Sequence, residues 1–128
     1  MKDYCRRTGK YVLPRAVYLT TLWQIRDYYR MKEEAQAILD ESPPPPDGMP
    51  KGTTVGDMVF SKAVRREQYI SKTRAIEETL LIVPKEYRRG VWCNIMRGDP
   101  FPLDAHRGTY SEWKSKYIHA VAVKLEII

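Results

Sequence analysis

Small polar and basic side chains cluster around the sequence Thr109-Tyr110-Ser111-Glu112. This tetrapeptide matches the capping box, in which a Thr hydroxyl and a Glu carboxylate each accept a hydrogen bond from the other's backbone N–H. A helix that starts here presents free N–H groups and the positive end of its dipole, and both attract phosphate. We therefore predict a DNA-binding site that consists of Arg107, Thr109, Tyr110, Ser111, Lys114, Ser115 and Lys116.

The two lysines of this set differ in their predicted position on the helix. At about 100° per residue, Lys114 falls inside the arc of apolar side chains, whereas Lys116 lies outside it. A lysine in the arc can extend its stem across the edge of the core and place its ammonium at the rim. Lys116 is therefore the better candidate for a phosphate contact.

Catalytic and metal-binding motifs are absent from the sequence. It contains no Walker loop, no Gly-x-Gly-x-x-Gly, no HExxH and no nucleophile elbow. His106 and His119 lack Cys or carboxylate partners at a metal-binding spacing. The pairs Glu33-Glu34 and Glu77-Glu78 diverge by about 100° on a helix, so neither forms an acid–base dyad. We expect a binding protein rather than an enzyme, with no metal ion and no cofactor.

The predicted DNA-binding residues need two helices and a turn to position them. Pro84 suits the start of the first helix, and Gly98, Pro100 and Pro102 end it. The apolar stripe of the first helix is Tyr87, Val91, Trp92 and Ile95, and that of the last helix is Tyr110, Trp113, Tyr117, Ile118, Val121 and Leu125. Together with the turn over residues 97–108, they predict a helix-turn-helix whose second helix enters the major groove of DNA.

Two longer helices are predicted before this motif. Helical periodicity extends over residues 14–39 and again over residues 57–83, where Asp57 is a plausible cap. The four prolines at 43–46 favour a stiff polyproline II connector between these helices. The predicted fold class is all-α, with two long amphipathic helices joined by a Pro-rich connector and followed by a C-terminal helix-turn-helix. We divide the chain into residues 1–56, the N-terminal helix and connector, and residues 57–128, the basic helical region.

Positive charge is concentrated towards the C-terminus. The net charge is +6, and residues 85–124 hold eight Lys or Arg against four Asp or Glu. A surplus of this kind favours a polyanionic partner. Lys62, Arg65 and Arg66 form a second basic group and are the alternative DNA-binding surface.

Cysteine spacing and apolar runs predict the cellular location. Cys5 and Cys93 lie far apart with no metal-binding spacing, which indicates free thiols in a reducing cytoplasm. No run approaches the roughly 18 apolar residues of a membrane span, and no apolar stretch follows the charged N-terminal residues. We expect a cytoplasmic protein with no membrane partner and no secretory signal.

Four segments resemble a known family. They are LWQIRDYYRMKEE at 22–34, AIE at 75–77, PKEYRRGVW at 84–92 and TYSEWKSKYI at 109–118. In order and spacing they resemble phage-encoded transcriptional regulators of the RinA/ArpU type, whereas the four-proline run and Met58-Val59-Phe60 depart from that pattern. The resemblance implies a phage or prophage regulator of late genes that acts with the host RNA polymerase. It also implies a C-terminal half similar to the promoter-reading region of sigma factors.

Two functions from different classes remain open. The first is a transcriptional regulator, acting as a monomer or homodimer, that binds double-stranded DNA through the last helix. The alternative is a phage assembly or DNA-packaging component, such as a small terminase-like subunit or a connector adaptor, because such proteins are also small and helical. A ring of many subunits in gel filtration would favour the alternative, and a monomer or dimer would favour the regulator.

Overall fold

A computed structural model describes residues 9–41 and 53–128, with the side chains of residues 60–128 in the second range. The described residues form helices and turns without a strand, which confirms the all-α fold class. The helices are α1 (Arg15–Arg26), α2 (Tyr28–Asp40), α3 (Thr53–Leu80), α4 (Lys85–Arg97) and α5 (Arg107–Lys124). The Pro-rich connector predicted from the four-proline run lies outside the described residues.

The first predicted helix is divided in two at Asp27. The N–H of Asp27 is shared between the carbonyls of Trp23 and Gln24, at 3.1 and 3.3 Å. The buried stripe also changes face here. On a continuous helix, the step of six positions from Ile25 to Met31 is a rotation of about 240°, so the two buried side chains would point in different directions. Two separate helices bury both stripes, whereas the single helix predicted over residues 14–39 would leave one of them on the wrong side.

The ends of α3 and α4 follow local chemistry. α3 begins at Thr53, so Asp57 lies inside the helix and is not its cap. After α3 ends, the guanidinium of Arg88 donates hydrogen bonds to the carbonyls of Leu81 and Val83 at 3.2 and 2.7 Å. Pro84 precedes the first residue of α4, and Gly98 ends that helix in the left-handed conformation with a φ of 72°.

The chain forms two compact units that are not consecutive in sequence. One unit contains described residues 9–27 together with Ala75–Ile128, and the other is Tyr28–Arg74. The boundaries therefore fall at Asp27 and inside α3. The division differs from the regions 1–56 and 57–128 predicted from the sequence, because the first unit draws on both ends of the chain. We call these the terminal unit and the inserted unit.

In the terminal unit, α1, α4 and α5 pack against one another around an apolar core. Its buried side chains are Leu13, Tyr18, Leu22, Ile25, Ile76, Val83, Val91, Ile95, Tyr110, Tyr117, Ile118, Val121 and Ala122. Two hydrogen bonds to backbone carbonyls reinforce this packing. Arg26 Nε donates to Ile95 at 2.8 Å, and the buried Tyr117 hydroxyl donates to Ile76 at 3.0 Å.

In the inserted unit, α2 and α3 are antiparallel. Near the end of α2, Glu41 forms an ion pair of 3.6 Å with Lys62. Near its start, the Arg30 guanidinium lies 5.7 Å from the ring centroid of Tyr69. Arg30 precedes Glu41 in the chain, but its partner Tyr69 follows Lys62, the partner of Glu41. The two helices therefore run in opposite directions.

Gly90 allows α4 to approach the start of α5 closely. A Cβ atom at this position would lie 2.6 Å from Cε1 of Tyr110 and 2.8 Å from Cδ of Pro102. Both distances are well below van der Waals contact, and neither the buried ring nor the proline can move aside freely. The missing side chain therefore determines how close the two helices of the predicted helix-turn-helix come.

We expect Gly90→Ala to destabilise the protein. At an unobstructed helix position this change would stabilise by about 1 kcal/mol through helix propensity. Overpacking against Tyr110 reverses the sign, and we expect a loss of about 1–3 kcal/mol in the free energy of unfolding, measured by urea denaturation. Arg89→Ala, at the neighbouring exposed position, is the control and should change stability by less than about 0.5 kcal/mol. A Gly90→Ala variant as stable as wild type would contradict the close approach.

Candidate nucleic-acid interface

The first turn of α5 is capped by His106 and not by Thr109. Nδ1 of His106 accepts a hydrogen bond of 3.0 Å from the N–H of Gly108. Thr109 already lies within the helix, and its N–H donates to the carbonyl of His106 at 3.0 Å. The predicted capping box is therefore wrong, because the helix starts two residues before Thr109. Glu112 is exposed and lies inside the helix, past its first turn.

The predicted DNA-binding residues are distributed around α5. At about 100° per residue, Ser115 and Lys116 lie on the side that faces away from the core, and Thr109 lies on that side in the first turn. Arg107 is exposed at the first helical position. The side nearer the core carries Ser111 and Lys114, and these two are half-buried, as are Thr109, Ser115 and Lys116.

Tyr110 must be removed from the predicted DNA-binding set, because its side chain is fully buried. Its ring stacks on Phe101 with a centroid distance of 5.3 Å and meets the edge of Tyr87 at the same distance. The hydroxyl donates a hydrogen bond of 2.5 Å to Asp104. That bond to a carboxylate, together with desolvation, raises the pKa of Tyr110 to about 12. Tyr110 therefore holds the turn over residues 98–106 against α5.

A groove of about 310 Å³ runs along the outward side of α5. Its lining includes Lys10, Tyr11, Glu112, Trp113, Ser115 and Lys116, and we call it the basic–aromatic groove. The ammonium of Lys116 lies 5.0 Å from the ring centroid of Trp113 and 5.9 Å from that of Tyr11. Lys10 lies 5.6 Å from the ring centroid of Tyr11. The groove thus brings two predicted site residues, Ser115 and Lys116, together with cations and rings from another part of the chain.

The cations of the groove are held by weak contacts that an anion can replace. A cation–π contact at an exposed site contributes about 0.5–1 kcal/mol. A charge-assisted hydrogen bond to phosphate is shorter than a hydrogen bond between neutral groups and about twice as strong. The ammonium groups of Lys10 and Lys116 can therefore turn from the aromatic rings to a phosphate oxygen. The carboxylate of Glu112, which also lines the groove, offsets part of this positive charge.

Sequence reasoning missed half of this groove. Lys10 and Tyr11 are remote in sequence from Lys116, and no periodicity connects the two segments. Trp113 was expected on the core face, but it is half-buried and lines the groove. At residues 9–12 the sequence shows only one cation next to one ring, Lys10-Tyr11, and a single pair of this kind does not predict a site.

The alternative basic group on α3 is partly neutralised. Lys62 is paired with Glu41 at 3.6 Å, and Arg66 is 4.0 Å from Glu67. Arg65 is exposed and forms no ion pair with a described residue. This group therefore offers fewer available cations than its sequence suggests.

Other kinds of site find little support in the part of the chain that the structure describes. No three His, Cys, Asp or Glu side chains come together there as metal ligands. Among the helices of residues 9–41 and 53–128, none combines the length and apolar composition needed to cross a membrane.

Comparison with known proteins gives no relative from which a function could be transferred. No family model matches the chain, and neither the curated proteins nor the solved structures include a significant match.

Trp113 and Tyr117 provide a stability test of the groove. Tyr117 is fully buried, so Tyr117→Ala should lower the free energy of unfolding by about 3–5 kcal/mol, as large core truncations do. Trp113 is half-buried, and Trp113→Ala should cost less than about 2 kcal/mol. Denaturation followed by circular dichroism measures both. Equal losses in the two variants would place Trp113 in the core and not in the groove.

Proposed function

We propose that this protein is a DNA-binding transcriptional regulator that contacts double-stranded DNA with the outward side of α5. The observation that carries the proposal is the basic–aromatic groove, where Lys10 and Lys116 lie beside Tyr11 and Trp113 on that side of the helix. Exposed Arg107, at the start of α5, adds a third cation. On this proposal the protein acts by binding and needs neither catalysis nor a cofactor.

The arrangement of α4, the turn over residues 98–106 and α5 supports a helix-turn-helix reading. α1, α4 and α5 pack pairwise, as a helical DNA-binding unit requires to hold its recognition helix rigid. The turn is longer than the three or four residues of the tightest motifs. Tyr110 and Gly90 compensate for this length, because they fix the turn and α4 against α5.

The groove residues and Arg107, which lies outside the groove at the start of α5, divide into two roles in the proposed complex. Lys10, Arg107 and Lys116 contact phosphates, which supply affinity but little sequence information. Ser115 and Glu112 lie on the outward side, where they can meet base edges in the major groove. A carboxylate can accept a hydrogen bond from the amino group of cytosine, and a Ser hydroxyl can meet several bases.

The biological setting is proposed from the sequence resemblance. Residues 22–34, 84–92 and 109–118 resemble RinA/ArpU-type regulators, and we propose a phage or prophage protein that controls late genes with the host RNA polymerase. It would then act in the cytoplasm of the bacterial host. The resemblance supports this role, while DNA binding has the independent support of the groove.

A mobility-shift titration against a mixed-sequence duplex tests the proposed surface. We expect Lys116→Ala and Arg107→Ala each to weaken binding by about threefold to tenfold, with the slope of log K against log salt reduced by about 1. The physical reason is the loss of one phosphate contact in each variant.

Lys124→Ala is the matched control, because it removes an exposed lysine from the last turn of the same helix. It should bind as wild type does. If Lys116→Ala and Arg107→Ala bind like wild type and melt at the same temperature, the proposed surface is wrong. Binding would then be sought on Lys62, Arg65 and Arg66.

A further inference from the structure

The basic–aromatic groove presents the faces of two aromatic rings. The ammonium of Lys116, which lines the groove, lies over the rings of Trp113 and Tyr11 at 5.0 and 5.9 Å from their centroids. A cation contacts the face of a ring and not its edge, so each ring turns a face towards the groove. Among the residues that the structure describes, no other aromatic ring contacts that of Trp113. The bases of a duplex expose only their edges in its grooves, so a paired base cannot stack on these rings.

Tyr11 forms the second wall of the groove and is held beside α5. The ring of His119, on the same helix as Lys116, makes a T-shaped contact with Tyr11 at a centroid distance of 5.5 Å. Lys10 lies over the ring of Tyr11 at 5.6 Å. A wall that is already positioned loses less conformational entropy when a flat ligand binds against it.

The polar side chains of the groove include both signs of charge. Lys10 and Lys116 supply two positive charges, and Glu112 supplies one negative charge. Glu112 and Lys116 are four residues apart on α5, a spacing at which opposite charges commonly pair. Within the described part of the chain, neither of them forms an ion pair. The carboxylate can therefore still accept a hydrogen bond from a ligand, and the ammonium can still donate one.

The size of the groove fits one small ligand that has both an anion and a flat ring. Its volume of about 310 Å³ lies at the lower end of the range for small-molecule sites, roughly 300–1,000 Å³. Phosphate alone would leave the ring faces uncovered, and an aromatic ligand alone would leave two ammonium groups without an anion. A nucleotide meets both requirements, because its phosphate receives the Lys116 ammonium and its base covers the ring face that the ammonium leaves.

We infer that the basic–aromatic groove binds an unpaired nucleotide, with the base stacked on Trp113 and the phosphate bound by Lys10 and Lys116. Aromatic rings beside cations are typical of proteins that bind unpaired bases. The carboxylate of Glu112 accepts a hydrogen bond from the amino group of a base such as cytosine. The nucleotide is either free or part of a single strand, and the chemistry of recognition is the same for both. The inference does not require that α5 binds duplex DNA.

The indole N–H signals in a heteronuclear NMR spectrum test the site directly. The chain has three tryptophans, Trp23, Trp92 and Trp113, and replacing each in turn with Phe assigns its signal. We expect deoxycytidine 5′-monophosphate at millimolar concentration to shift the signal of Trp113. Trp23 is the internal control, since it is 60% exposed and has Arg26 5.0 Å from its ring centroid, but lies outside the groove. Its signal should not move.

Three further probes separate the parts and the source of the ligand. Inorganic phosphate lacks the base and deoxycytidine lacks the phosphate, so each should bind at least about tenfold more weakly than the monophosphate. A single-stranded oligodeoxycytidine distinguishes the two sources. If it binds more tightly than the monophosphate and loses that advantage in salt, the ligand is part of a strand, because additional phosphates are then contacted. If its affinity is no higher, the ligand is a free nucleotide.

Substitutions in the groove test the assigned roles of the ring and the cation. Trp113→Leu keeps an apolar side chain but removes the stacking surface, and we expect the monophosphate to bind at least about tenfold more weakly. Lys116→Gln should weaken binding by about threefold to tenfold through the lost charge. Trp23→Leu and Lys124→Gln are the matched controls, because they change exposed residues outside the groove, and they should bind as wild type does. Amide chemical shifts measure binding in all four variants, and circular dichroism checks their folding.

Four results would overturn the inference. They are a Trp113 signal that moves with neither the monophosphate nor the single strand, a Trp23 signal that moves as far, inorganic phosphate that binds as tightly as the monophosphate, and a folded Trp113→Leu variant that binds as wild type does.

A mobility shift with duplex DNA separates this inference from the proposed function. If the monophosphate moves the Trp113 signal but the protein retards no duplex, the nucleotide site is supported and the proposed function is wrong. If the protein retards duplex DNA while nucleotides and the single strand leave Trp113 unmoved, the proposed function stands and the nucleotide site is wrong.

Discussion

Tyr110 lies where α4, the turn over residues 98–106 and α5 meet, and the direction of α5 depends on its position. Its ring occupies the space that a side chain at Gly90 would fill, and its hydroxyl binds Asp104 in the turn. A shift of this ring would rotate or lift the start of α5. Because Glu112, Ser115 and Lys116 are fixed to that helix, a core residue determines what the outward side can contact.

The sequence predicted elements with clear chemical boundaries and missed a boundary without one. Pro84 and Gly98 bracket α4 in the structure, since proline suits a helix start and glycine adopts the left-handed conformation at its end. Asp27 carries no such signal, and the spacing Tyr18, Leu22, Ile25, Tyr29 looked continuous. The sequence did show a second stripe through Met31 and Ala35. This stripe differs from the first because α1 and α2 belong to different units.

The sequence predicted the helix that carries the candidate site, but it did not predict which residues share the surface of that site. Thr109 and Glu112 fitted a capping pattern, yet the helix is capped by His106. Histidine is not among the residue types preferred at this position. The apolar stripe correctly placed Tyr117, Ile118 and Val121 in the core. Trp113 was misplaced because it lines a groove together with residues 9–12, and sequence spacing cannot show that two such distant segments come together.

The functional proposal assigns DNA contact to the terminal unit. The claim on which the functional account depends most is that DNA meets the outward side of α5. Backbone amide chemical shifts, recorded while a duplex is titrated into the labelled protein, test it residue by residue. The account predicts that the largest changes fall on residues 9–12 and 107–116. Largest changes on residues 60–74, with residues 107–116 unmoved, would contradict it.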